Sequence, residues 1–169
     1  MTTLEVRDLT KIFRGRRRAA GVRAVDGVSF TLEQGKTTAL VGESGSGKST
    51  IARILARLTV ETSGSILLDG VAIPRGRQTR RLRSAYRRRV QIVFQDPFAS
   101  LNPAHTVLYH VARPLRSHRN LRGQAARHAV QALLERVNLT PADQIMAKYP
   151  HEMSGGQRQR VAIARALAP

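Results

Sequence analysis

Alternating apolar and polar positions predict β-strands in the first part of the chain. The predicted strands span 4–9, 24–33, 37–41, 65–68 and 90–94. Residues 37–41 form a short β-branched run that ends at Gly42, a pattern typical of a buried strand. Asp69-Gly70 is a strong turn signal. It predicts a hairpin between the strand at 65–68 and an apolar stretch at 71–73.

Helical spacing of apolar residues replaces this alternation in two places. Residues 49–58 and 125–137 each repeat apolar positions every three or four residues, which predicts helices. Ser154 and Gln157 match a capping box, so a last helix begins at Ser154. The pattern therefore predicts an α/β chain: a mixed β and α/β part over 1–96, and a helical part over 97–169.

The composition excludes some classes of protein. The chain contains no cysteine, which rules out disulfides and Cys-ligated zinc. Its five histidines are scattered without metal-ligand spacing. No apolar run approaches the roughly 18 residues of a membrane span. The N-terminus also lacks the apolar core of a signal peptide, so we expect a cytoplasmic protein.

A formal charge of +18 is the most unusual bulk property. Arginines cluster at 16–18, in a predicted loop, and at 75–89, and no acidic residue lies between Asp69 and Asp96. Such a field attracts polyanions and anionic membrane surfaces. We interpret these arginines as a solvated face rather than a nucleic-acid site, because a run of charges does not by itself place side chains to recognise bases. We expect no specific nucleic-acid partner, and any DNA binding should be weak and steeply salt-dependent.

Residues 42–49 fit the phosphate-loop pattern G-x-x-x-x-G-K-[ST] at every fixed position. A chance match in a chain this short is about a one-in-a-few-hundred event, given glycine frequency. Glycines let such a loop point backbone N–H groups inward, and the following helix adds a favourable dipole. Lys48 is placed to reach the β- and γ-phosphates of a nucleotide, and the Ser49 hydroxyl can bind Mg²⁺.

A second glycine motif lies near the end of the sequence, at 153–157. Gly155 and Gly156 follow Ser154 in a first helical turn, where each glycine costs about 1 kcal/mol against alanine. The segment Met-Ser-Gly-Gly-Gln resembles the LSGGQ signature of ABC transporter ATPases, with Met153 in place of leucine. The resemblance implies that these glycines approach the γ-phosphate of an ATP held by a partner subunit.

The resemblance extends over the whole chain. Stretches 95–103, 149–153 and 156–167 look like the oligopeptide, dipeptide and nickel importer ATPases. It implies that Gln95, expected at a strand end, contacts Mg²⁺ and the attacking water. It also implies that Phe13 stacks on adenine, although Phe13 could equally be a core residue.

The phosphate-loop pattern and the resemblance to ABC transporter ATPases together predict ATP and Mg²⁺ as ligands. The nucleotide-binding residues are Phe13, Gly42, Glu43, Ser44, Gly45, Ser46, Gly47, Lys48, Ser49, Thr50, Gln95, Ser154, Gly155, Gly156 and Gln157, with Ser49 and Gln95 at the metal. The family's Asp-Glu pair, on a strand beside the phosphate-loop strand, and its switch histidine have no counterpart in this sequence. No catalytic residue is therefore assigned, and we expect a C-terminally truncated chain that is inactive alone.

The resemblance also implies partners: membrane-spanning permease subunits, a second ABC ATPase subunit and, indirectly, a solute-binding protein. The protein would then act at the inner face of the membrane and couple ATP hydrolysis to transport of small peptides or a similar solute. Two alternatives stay open. A chromosome-maintenance or repair ATPase would suit the basic charge but normally has a long coiled coil between the two motifs. The other is a remnant without catalysis.

Overall fold

The computed structural model describes residues 3–14, 21–76, 79–96 and 100–169. The arginine cluster at 16–18 and residues 97–99 of the stretch after Gln95 lie outside the described residues. Two compact units are present, Met1–Arg83 and Ser84–Pro169, and each is described by itself. The predicted boundary after residue 96 stays a prediction. Within the described ranges, no helix has the length and apolar character needed to cross a bilayer.

The first unit contains one antiparallel sheet. Its strands are β1 (Thr3–Phe13), β2 (Val22–Glu33), β3 (Ser63–Leu68) and β4 (Val71–Ala72), in the order β2-β1-β3-β4. Leu68 pairs with Val71 across the Asp69-Gly70 turn. The structure thus confirms the strands predicted at 4–9, 24–33 and 65–68 and the hairpin between β3 and β4.

A bulge in β1 lets residues at both even and odd positions reach the core. Leu4, Val6 and Leu9 are all buried, which strict alternation in a strand does not allow. The pairing with β2 shifts register between Val6 and Leu9, and Asp8 has a φ of 49°. The Asp8 amide donates to Ser29 Oγ at 2.8 Å. The extra residue turns Leu9 to the buried face.

Helix α1 (Lys48–Leu55) confirms the helix predicted after the phosphate loop, although it ends three residues earlier. Ile51 and Ile54 provide its buried side. The turn after it is fixed by a buried ion pair, in which Arg57 Nη1 lies 2.7 Å from Glu61 Oε2. Arg57 also donates to the Pro74 carbonyl at 2.6 Å, which satisfies more of the guanidinium.

Two of the strand predictions are wrong. Residues 37–41 and 90–94 form no strand, and in the first segment Leu40 and Val41 are 49% and 84% exposed. Apolar β-branched composition favours a pleated, half-buried surface, but a strand forms only where a neighbour completes its hydrogen bonds. The four described strands pair only with one another.

Helices dominate the described residues after 100, as predicted, and they are preceded by one helix, α2 (Arg80–Arg89), that was not predicted. The later elements are α3 (Val107–Arg119), α4 (Gly123–Arg136), α5 (Ala142–Ala147), a short 3₁₀ turn (Pro150–Glu152) and α6 (Gly155–Leu167). In the second unit, Val111 and Leu115 of α3 pack in one core with Leu134 of α4 and Val161 of α6. This core holds the N-terminus of α6, where the second glycine motif lies.

Buried polar groups fix the turn before α3. Arg165 Nη1 donates to the Ser100 carbonyl at 2.6 Å, and His110 Nε2 lies 3.0 Å from the Asn102 carbonyl. Burial lowers the pKa of both Arg165 and His110, and the charge of Arg165 adds to the effect on His110. Each side chain gains a backbone acceptor that offsets part of its desolvation.

Candidate functional site

The loop at 42–47 is shaped by the close approach of Gly47 to the sheet. Gly47 is the N-cap of α1 in a left-handed conformation, with φ of 93°. A Cβ at this position would lie 2.2 Å from the Ala24 carbonyl oxygen of β2. No side chain fits against that backbone atom. The second fixed glycine of the phosphate-loop pattern therefore sets the distance between the loop and the sheet.

The first turn of α1 presents unpaired backbone donors. Gly47 provides no side-chain cap, and the amides of Lys48, Ser49 and Thr50 have no acceptor within the described part of the chain. The first regular bond runs from the Ile51 amide to the Gly47 carbonyl at 2.9 Å. With the helix dipole, these donors form an anion-binding site at an exposed loop.

Lys48 folds back over this loop. Its Nζ donates to the Gly42 and Glu43 carbonyls at 2.7 and 2.6 Å, and lies 3.3 Å from Ser46 Oγ. All three ammonium hydrogens thus have an oxygen acceptor in the loop. The arrangement places one positive charge at the same loop as the free amides, so both can act on a single anionic ligand.

Phe13 lies at the end of β1 and is not a core residue, since it is 45% exposed. Lys11 Nζ is 5.0 Å from the ring centroid and donates to the Val60 carbonyl at 2.6 Å. A shallow cleft at this strand end is lined by Lys11, Ile12, Phe13, Arg14 and Thr62. The open aromatic face can stack on a planar ligand.

The second glycine motif is capped by its own side chains. Ser154 Oγ accepts from the Gln157 amide at 3.2 Å, and Gln157 Oε1 accepts from the Ser154 amide at 3.0 Å. This confirms the capping box and the start of the last helix at Ser154. In the first turn of α6, the amides of Gly155 and Gly156, between the two capped positions, have no acceptor within the described residues.

Gln95 is exposed and follows the segment 90–94, which is not a strand. The prediction that Gln95 ends a strand is therefore wrong, and its role at a metal stays a prediction. The described residues contain no group of three or more His, Asp or Glu side chains that could hold a metal. The contacts of Lys11 with Phe13 and of Ala24 with Gly47 were not predicted, because no sequence signal marks either contact.

In a comparison with known proteins, one family match spans both glycine loops. The family model described as ABC transporter matches residues 25–169. The chain is 46% identical to the oligopeptide transport ATP-binding protein AppF of Bacillus subtilis and 44% identical to the di/tripeptide transport ATP-binding protein DppF of Pseudomonas aeruginosa. Each alignment covers 98% of this chain and 51% of the relative. The chain thus spans about half the length of these curated relatives.

The fold has a close counterpart among solved structures. An ATP-binding cassette, solved as a dimer in a post-hydrolysis state bound to ADP and Pi, superposes with a TM-score of 0.83 at 30% sequence identity. The match covers 98% of this chain and 69% of that chain.

Proposed function

We propose that this chain, which belongs to the ABC transporter family, is the ATP-binding part of an importer of small peptides or a similar solute. Its relatives are named for oligopeptide, di/tripeptide and glutathione transport. None of these is a chromosome-maintenance or repair protein, so that alternative gains no support. On this proposal the protein lies at the inner face of the membrane, against permease subunits. It holds the ATP whose hydrolysis drives transport, while the residues assigned to this chain are binding residues and not catalytic ones.

The geometry of the loop at 42–50 supports the ATP-binding part of this proposal. Uncapped amides of Lys48, Ser49 and Thr50 and the Lys48 ammonium share one loop. On nucleotide binding, the Lys48 Nζ would exchange its carbonyl acceptors for phosphate oxygens, which are charged and form stronger hydrogen bonds. Phe13, with its half-exposed ring, would take the adenine.

Mg²⁺ fits the donors that this loop offers. The Ser49 hydroxyl is at the second position of α1, is exposed, and has no hydrogen-bond partner within the described ranges. Mg²⁺ is usually held by one or two protein oxygens together with phosphates and water. Ser49 and Gln95 would be those protein ligands, and the bound ion would offset charge on the phosphate oxygens.

A second ATPase subunit would complete the site. The solved relative is a dimer with ADP and Pi. The open amides of Gly155 and Gly156 suit a γ-phosphate that is presented by another subunit, because the helix dipole favours an anion there. Ser154 and Gln157 would keep the turn in this shape by capping each other.

Titration with Mg-ATP tests the proposal. Lys48→Ala should weaken binding by about 10- to 100-fold, because a hydrogen bond to a charged group is lost. Lys36→Ala is the matched control, since Lys36 is exposed and its Nζ pairs with Glu33 at 2.6 Å. Equal affinities for the wild type and Lys48→Ala, with both proteins folded, would contradict the proposal.

A further inference from the structure

Helix α2 has a basic surface that the proposed nucleotide site does not use. Arg81, Arg83, Arg87 and Arg88 are exposed, and none of them pairs with a carboxylate among the described residues. Eight arginines and no acidic residue occur between Asp69 and Asp96. The positive charge of this stretch therefore has no local counter-charge in the sequence.

Some of the charges on α2 are arranged at a cost to the helix, although Arg87 and Arg88 lie in its last turn, where the dipole favours cations. Arg83 and Arg87 are four residues apart, so like charges face each other along one side. The first turn has no acidic residue to complement the helix dipole. An anionic surface against the helix would offset both effects.

A second basic segment lies beside α2 within the second unit. Burial lowers the pKa of His118 on α3, and the charges of Arg88 and Arg87 lower it further. Both arginines therefore act on the C-terminal half of α3, which adds the exposed Arg116 and Arg119. Arg119 Nη2 also donates to the Pro169 carbonyl at 2.9 Å.

The apolar residues of α2 distinguish between anionic partners. Tyr86 is buried, and Leu82, one helical turn before it, is 51% exposed among the arginines. Helices that lie at a membrane surface combine basic residues with apolar ones such as leucine. Between Arg81 and Arg89 there is no exposed aromatic ring to stack on bases.

We propose that α2 binds the anionic phospholipid headgroups of a bilayer directly, as a contact separate from any permease subunit. The arginines would interact with phosphate groups, and Leu82 would reach the boundary of the acyl chains. The choice of lipid over nucleic acid rests on the proposed function, which places the protein at a membrane.

Vesicle sedimentation with the full chain tests this proposal. The probes are phosphatidylcholine vesicles with and without phosphatidylglycerol, and a mixed-sequence DNA duplex is titrated separately. The test variant is Arg81→Gln/Arg83→Gln/Arg87→Gln, in which glutamine keeps the helix propensity of arginine. The control Arg53→Gln/Arg127→Gln/Arg136→Gln removes the same charge from exposed positions on α1 and α4.

We expect binding only to vesicles that contain phosphatidylglycerol. The α2 variant should lose about 100-fold in partition coefficient, from three surface arginines, while the control loses much less. Equal losses in both variants, no dependence on phosphatidylglycerol, or a loss of DNA affinity alone would overturn the proposal. Mg-ATP affinity should be unchanged in the α2 variant. A failure to bind lipid with intact ATP binding would therefore reject this inference and leave the proposed function standing.

Discussion

The two glycine loops that open α1 and α6 differ in how much of their backbone the chain itself uses. At α1, Gly47 gives no side-chain cap, and a lysine of the same loop lies over it. At α6, Ser154 and Gln157 cap each other and leave only two glycine amides open. The first loop therefore offers a charge and several donors to one ligand. The second offers two donors and needs a ligand held by other residues.

The glycines of the two loops show the same difference. A Cβ on Gly47 would collide with the Ala24 carbonyl, whereas a Cβ on Gly156 would meet no atom of the described residues within 4 Å. Gly47 also has a positive φ and Gly156 does not. The fold itself requires the first glycine. The second is not required by the chain's own packing, which is expected if a ligand or partner approaches the backbone from outside.

Of the substitutions that test this comparison, Gly47→Ala should have the largest effect on stability. The new Cβ would overlap a backbone oxygen in β2 and require a strained φ, so we expect a loss of about 3 kcal/mol or more of stability. Mg-ATP binding should disappear with it. Gly45→Ala separates the two causes, because Gly45 has a φ of 87° but an added Cβ there would meet no described atom within 4 Å. Chemical denaturation that gives the same loss for both variants would show that the contact with Ala24 is unimportant.

Ser154→Ala should have an intermediate effect. It leaves the Gln157 amide without its cap, which costs about 1 kcal/mol in the free energy of unfolding. Mg-ATP affinity of the isolated chain should not change, because the first loop is untouched. Ser117→Ala, an exposed position within α3, should stay within about 0.5 kcal/mol of wild type. A large loss of ATP affinity in Ser154→Ala would break the proposed separation of the two loops.

Gly156→Ala should have the smallest effect, and of opposite sign. Alanine has the higher helix propensity and the position is open, so we expect a gain of up to about 1 kcal/mol in the isolated chain. Denaturation curves and ATP titration both report on this variant. Clear destabilisation would mean that Gly156 is needed by the fold after all.

Local signals in the sequence predicted the elements that depend on neighbours along the chain. The Asp69-Gly70 hairpin, the start of α1 and the capping box at Ser154 are all specified within a few residues. The strands at 37–41 and 90–94 were predicted wrongly because a strand depends on distant partners. The bulge at Asp8 was missed for a similar reason, since it appears only in the pairing of β1 with β2.

The candidate site was predictable to a similar degree. Sequence pattern identified the loop, its lysine and the second motif, because fixed spacing carries their chemistry. It could not show that Lys48 bonds to the Gly42 and Glu43 carbonyls, or that Phe13 is half-exposed beside Lys11. Those contacts depend on backbone conformation, which the spacing of residues along the sequence does not fix.

An NMR titration of backbone amides with Mg-ATP would locate the chain's own ATP site. We expect large shifts for the amides of Lys48, Ser49 and Thr50, which are free to bind phosphate. The amides of Gly155 and Gly156 should hardly move in the monomeric chain. Shifts at the second motif with an unchanged first loop would contradict the assignment of the loop at 42–50 as the chain's own ATP site.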